Sequence, residues 1–341
     1  MTWYTDPIAN DAPIISARVR LARNLKKYPF KQMMTGKEAL MIIEETSGAV
    51  INDRTAIGVR FKSQDIKQLN ETAKKMLIEK HIISHDLLKP ELPVGLLLQD
   101  DENVSIMINE EDHIRMQTVS AGDNIAASWE LANHIDDLIE ESVEYAFDKD
   151  FGYLTSCPTN TGTGLRASYM IHLPMLEKTG KIKFLIPAIN KFGIALRGLH
   201  GEGTEPMGSI YQISNQLTLG KSEQEIMQGL QNVTQNIIEK EKMICEKMLE
   251  KHRIDLENNV YRAYGILSFG KKISLAEAMN LLSEIRVGFY TGVLCQPKLN
   301  KNIYQVMIEI QNGHLQNRIG RKLGEEECEI YRADILREMF N

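Results

Sequence analysis

The chain has 341 residues, 43% of them hydrophobic, enough for about two domains at roughly 150 residues each and a core in both, which excludes a mainly disordered chain. Asp and Glu outnumber Lys and Arg by 46 to 40, a net charge of −6, so the basic footprint of a direct nucleic-acid binder is missing. Cys157, Cys245, Cys295 and Cys328 contain no C-x-x-C pair, which argues against a zinc cage or disulfide framework and fits a reducing cytoplasm. No apolar run approaches the ~18 residues of a membrane span, and the first ten residues lack the basic-then-apolar order of a signal peptide.

Taken in chain order, Val94–Leu98 and Val104–Asn109 flank a short polar turn and predict a hairpin. After Gly122, Asp123 is placed to cap a helix whose apolar positions, from Ile125 and Trp129 to Leu138 and Ile139, repeat near 3.6 and run to about Tyr145. Ser222 and Glu225 have capping-box spacing and open a long charged helix that fades near His252. Beyond Asp255 the pattern is helical, around 275–285, 304–310 and 325–340. Residues 1–252 are therefore read as one domain and 258–341 as a smaller helical one.

Two phosphate-loop motifs fail on inspection. Gly162-Thr-Gly-Leu-Arg-Ala167 follows Pro158 and Asn160 where a buried strand is required, and Gly220-Lys-Ser222 has Asn215 where a Walker loop needs Gly. What remains is arginine beside small and polar residues in four segments: Ser16-Ala-Arg18-Val-Arg20, Asn109-Glu-Glu111-Asp-His-Ile-Arg115, Cys157-Pro-Thr-Asn-Thr-Gly-Thr-Gly-Leu-Arg166-Ala-Ser168, and Arg197-Gly-Leu-His-Gly-Glu202. Singly, each arginine reads as a surface ion-pair partner. Arg18 and Arg20 alternate as on one strand face, and Arg115 follows the hairpin, so several guanidiniums can meet at one sheet edge and there demand an anion.

These four segments, with Gly152-Tyr-Leu-Thr-Ser-Cys-Pro-Thr-Asn160 and Tyr211-Gln-Ile-Ser-Asn-Gln-Leu-Thr-Leu-Gly-Lys-Ser222, resemble the phosphagen (guanidino) kinases, and most closely their bacterial protein-arginine kinase branch, from about residue 11 to the C-terminus. Only 15 residues precede Ser16, too few for the helical lobe that encloses small guanidino metabolites in the metabolite kinases. The resemblance implies an α+β catalytic domain, an antiparallel sheet with flanking helices, followed by a helical C-terminal domain. It also implies ATP, with Mg2+ held mainly by nucleotide phosphates and water, and transfer of phosphate to arginine side chains of proteins.

Carried over residue by residue, the resemblance assigns the ATP phosphates to Arg18, Arg20, Arg115, Arg166 and Arg197. Ser16, His81, Ala167, Ser168, Gly198 and Gly201 stand beside them. Glu111 and Glu202 become the catalytic carboxylates that grip the acceptor guanidinium, and Cys157 its neighbour. The implied partners are a heat-shock repressor as target, a co-encoded activator, a Clp protease that receives marked proteins, and a second copy of the chain, with no membrane involved. The family's C-terminal phosphoarginine reader has arginine where this chain has Cys328, ahead of Arg332-Ala333, so activation by phosphoarginine is not carried over. The alternatives are a kinase of free arginine or a related metabolite, and a non-catalytic adaptor that sequesters a repressor.

Overall fold

A computed structural model describes residues 2–6, 12–52, 55–198, 206–295 and 299–341. Ten strands are present among them: β1 Ile14–Arg23, β2 Phe61–Gln64, β3 Gly95–Gln99, β4 Val104–Ile108, β5 Ile114–Ala121, β6 Phe147–Asp148, β7 Gly152–Tyr153, β8 Leu165–His172, β9 Ile194–Gly198 and β10 Ile210–Asn215. The α-helices are α1 Gly36–Val50, α2 Glu71–Glu79, α3 Ile125–Glu140, α4 Pro174–Lys178, α5 Ile182–Asn190, α6 Glu223–Lys251, α7 Arg253–Phe269, α8 Leu275–Thr291, α9 Ile303–Glu309, α10 Asn312–Ile319 and α11 Glu325–Phe340. None of the helices is long and apolar enough to cross a membrane.

The chain packs into two compact units, one formed by 1–3, 16–169 and 214–230, the other by 4–15, 170–213 and 231–341. In the first unit the strands lie side by side in the order β2-β3-β4-β5-β1-β8. The predicted hairpin is β3 and β4, antiparallel, with Leu97 opposite Ile106. The register of β1 against β5 decides which side of the sheet does chemistry. Val19 lies opposite Thr118, and the Thr118 hydroxyl donates to the Ser128 carbonyl of α3 at 2.8 Å, so the face carrying Ala17, Val19 and Leu21 is covered by that helix. Those three side chains are essentially inaccessible. Residues of opposite parity, Arg18, Arg20 and Ala22 with Arg115 and Gln117, occupy the other face.

Several helix starts follow local chemistry. Thr35 and Glu38 form a complete capping box at α1, and Ser222 and Glu225 form the one expected at the start of α6. The apolar stripe of α3 is buried as its period requires, at Ile125, Ala132, Ile135 and Ile139. Its N-cap is Asn124 rather than Asp123, and the helix stops at Glu140.

In the second unit β10 lies beside β9, α5 packs on β9, and α7, α8 and α11 pack together into a helical body. Ser274 caps α8, and Gly292 ends it in the left-handed conformation at φ 69°. Buried Arg332 holds that body together: Nε donates to the Ile310 carbonyl and Nη1 to the Ile273 carbonyl, both at 3.0 Å, and Nη2 to Asn312 Oδ1 at 2.6 Å. Cys328, one turn earlier on α11, is also buried.

Candidate active site

The site is built on the open face of the first unit's sheet. Three adjacent strands, β5, β1 and β8, supply Arg115, Arg18 with Arg20, and Arg166. Alternation along β1 puts Arg18 and Arg20 on one side, and Arg115, opposite Ala22, joins them there. Arg20, Arg115 and Arg166 line one cleft with Glu111 and Asn160. Burial, followed by the charges of Arg18, Arg115 and Arg166, depresses the proton affinity of Arg20 well below the ordinary arginine value. Its buried Nε has no hydrogen-bond partner among the described residues. Guanidinium keeps its proton at all ordinary pH, so the cluster stores repulsion that a polyanion relieves. These residues fit a nucleotide triphosphate.

Arg115 differs from Arg20 because it is neutralised within the protein. Its Nη1 pairs with the carboxylate of fully buried Glu110, whose other oxygen accepts the Glu111 amide at 2.6 Å. Burial opposes ionisation of both partners, but the pair outweighs it: Glu110 is held below the usual glutamate range and Arg115 above its own.

The turn between β4 and β5 is tied at nearly every residue. Asn109, at φ 61°, donates through Nδ2 to the Ala39 carbonyl at 2.9 Å and the Pro93 carbonyl at 3.0 Å. Buried Asp112 accepts Asn24 Nδ2 at 2.7 Å and the Ser156 amide at 2.6 Å on the same oxygen. His113 accepts the Leu25 amide at Nδ1, 3.1 Å, and donates from Nε2 to the Pro29 carbonyl at 2.9 Å, which fixes the neutral Nε2–H tautomer. Burial holds its proton affinity below the usual histidine value, consistent with that tautomer.

Glu111 is the exposed acidic member of this turn, and its carboxylate has no partner among the described residues. Partial burial, then the charges of Asp112 and Glu110, raise its proton affinity above that of an ordinary glutamate. An accessible carboxylate that has no partner among the described residues and is more basic than usual is suited to receive a cationic partner and a proton.

The Cys157 loop reaches the cleft through Asp112. With the Ser156 amide anchored there, Cys157 is half-buried, its Sγ 3.0 Å from Thr159 Oγ1. The Thr218 hydroxyl closes the loop by bonding the Thr159 and Thr161 carbonyls at 3.0 and 2.7 Å. After Gly164 the chain enters strand β8 instead of a helix, the physical reason the glycine motif there is no dinucleotide fingerprint.

Other expected site residues are placed as follows. Ser16 and Ser168 are buried on β1 and β8, and the Ala167 amide donates to Asn215 Oδ1 at 2.8 Å. His81 sits at φ 59° after α2, its carbonyl accepting Gln117 Nε2 at 2.6 Å; Gln117 is the residue opposite Arg20. Its ring lies 6.3 Å from that of Trp3. Arg197 and Gly198 are on β9 of the second unit. Glu202 and Gly201 lie outside the described residues.

Sequence reasoning gave no active part to Glu110 or Asp112 and left His113 unassigned; Asn24 was not singled out at all. Their roles are to neutralise Arg115, join two loops and seat the turn. The only local signal was the density of polar residues in Asn109–His113, too many for a simple solvated turn between apolar strands.

Comparison with known proteins identifies the family. Residues 41–244 match the family described as ATP:guanido phosphotransferase, C-terminal catalytic domain, and residues 253–341 match the protein-arginine kinase McsB C-terminal domain. A protein-arginine kinase of Caldanaerobacter subterraneus subsp. tengcongensis is 42% identical over 96% of this chain and 97% of its own length, and one of Bacillus cereus 44% identical over 95% and 91%. The crystal structure of a lombricine kinase superposes with a TM-score of 0.61, covering 71% of this chain and 69% of that one; at 24% identity this likeness speaks to fold alone. With catalytic and C-terminal family matches on one chain and close relatives along nearly its full length, the chain belongs to the protein-arginine kinase family, a branch of the guanidino phosphotransferases.

Proposed function

We propose that this protein transfers the γ-phosphoryl group of ATP to arginine side chains of other proteins. The observation that carries the reading is the open sheet face: guanidiniums on three adjacent strands, one of them lacking a partner for its buried Nε among the described residues, beside a glutamate on the same cleft whose carboxylate likewise has none there. Arg18, Arg20, Arg115 and Arg166 hold the phosphates, with Arg197 assigned to the same task by family resemblance. Magnesium would be held mainly by the nucleotide phosphates and water, and when bound would add to the charge compensation these arginines give.

An arginine acceptor is a poor nucleophile because its lone pairs are delocalised and its pKa is far above neutrality. Glu111 grips the guanidinium through bidentate hydrogen bonds and takes one proton as the P–N bond forms and the bond from γ-phosphorus to the bridging oxygen of ADP breaks. Glu202 orients the same group, and Cys157 lies against it without forming a covalent intermediate. The cellular setting is that of the family: stress response in the cytoplasm, a heat-shock repressor among the targets, a co-encoded activator and delivery of marked proteins to a Clp protease. Radiolabelled ATP incubated with casein tests the core claim. Label lost on mild acid treatment is expected, because a P–N bond is acid-labile; acid-stable label, or none, refutes it.

A further inference from the structure

An acceptor arginine in a protein brings the polypeptide on either side of it, so the surface bordering the cleft must receive that chain. In the first unit, segments tied to the loop that lines the cleft carry exposed apolar side chains. Phe147, Phe151, Leu217 and Leu219 are 58%, 56%, 55% and 53% exposed, although each has a side chain that burial would favour.

They come from segments whose backbones touch. Tyr153, next to Phe151 across the hairpin bend at Gly152, exchanges backbone hydrogen bonds with Gly162 at 2.8 and 3.2 Å, and its ring packs edge-on to Phe147 at 5.2 Å. Gly162, at φ 117°, lies so close to Thr218 and Leu219 that a Cβ there would stand 2.6 Å from the Thr218 carbonyl oxygen. Thr218 in turn bonds the carbonyls on both sides of Asn160, which lines the cleft with Glu111. The segments that carry the four side chains are thus tied to the loop that lines the cleft beside Glu111.

Its base is rigid. Buried Arg23 stacks on the Tyr153 ring, 3.6 Å from its centroid, donates to the Thr163 carbonyl at 3.0 Å and pairs with Asp136 at 2.6 Å. A platform fixed this firmly, with apolar side chains left outward, is preorganised for binding and does not itself need those side chains for folding.

We infer that Phe147, Phe151, Leu217 and Leu219 form a docking platform for the polypeptide flanking the acceptor arginine, selecting arginines that have apolar neighbours in an extended or unfolded chain. The inference rests on the arginine-kinase reading above and adds to it a preference for the residues immediately around the acceptor.

The test uses the full chain and two synthetic peptides with one arginine each, flanked within four residues by leucine and phenylalanine in one and by serine in the other. The expected kcat/KM for the apolar peptide is at least tenfold higher. In the Phe151→Ser/Leu219→Ser variant that preference falls below threefold, through a higher KM for the apolar peptide, while turnover of the serine peptide and the KM for ATP stay unchanged. Equal use of both peptides by the wild type overturns the platform, as does a variant that keeps the preference. Failure of the wild type to transfer phosphate to casein or either peptide overturns the kinase reading itself.

Discussion

At the scale of single residues, the site separates charges that are satisfied internally from charges left for a ligand. Glu110 neutralises Arg115, whereas Arg20 faces Arg18, Arg115 and Arg166 with little compensation. Replacing Arg20 by methionine therefore has opposite effects on stability and binding. Without nucleotide, Arg20→Met is expected to stabilise the fold by about 1 kcal/mol, the usual scale for relieving an unfavourable functional residue. The rise in melting temperature that ATP gives the wild type is expected to disappear. Thermal melts with and without MgATP check both parts, and a variant that retains the ATP shift removes Arg20 from the phosphate site. Glu111→Gln keeps the shape but cannot accept a proton. Transfer to casein should drop 10²-fold or more, the usual cost of a lost general base, with ATP binding nearly intact.

At the scale of elements, the β4–β5 turn and the Cys157 loop act as one body because Asp112 holds both. Asp112→Ala leaves the Asn24 amide and the Ser156 N–H without their acceptor, an expected loss of about 2–4 kcal/mol for two buried donors. Asp112→Asn retains an oxygen acceptor and is expected to cost far less in denaturant unfolding. It also removes a negative charge that raises the proton affinity of Glu111. The acidic limb of the pH–rate profile should then move to lower pH in Asp112→Asn; an unmoved limb means Glu111 does not set it. None of this coupling was legible beforehand. The hairpin, the alternation of Arg18 and Arg20 and the long capped helix follow from local periodicity and capping chemistry, which adjacent residues encode. The bond from Asp112 to Ser156 joins residues 44 apart, and no local pattern signals it.

At the scale of the whole molecule, each unit buries a neutral histidine. His113 is held in its single tautomer in the first, and His172 in the second is fully buried with Nε2 2.8 Å from Ser283 Oγ. Burial depresses proton affinity in both; the charge of Arg286 adds to the effect at His172. The unfolded chain therefore binds more protons than the folded one once pH falls below about 6.5, and stability declines toward the depressed folded values. The expected contribution approaches 1.4 kcal/mol per pH unit for each histidine within that window. His172→Gln should flatten the fall in unfolding free energy between pH 6.5 and 5.5, and an unchanged slope excludes His172 as a source. By itself the sequence determined the fold class and the family and nominated a set of arginines and glutamates, because these reside in residue types at short spacings. Tertiary structure alone decided which sheet face Arg18, Arg20 and Arg115 share, which acidic residue is consumed by an ion pair and which has no partner among the described residues. Such choices depend on strand register and burial, and both arise from contacts between residues far apart along the chain.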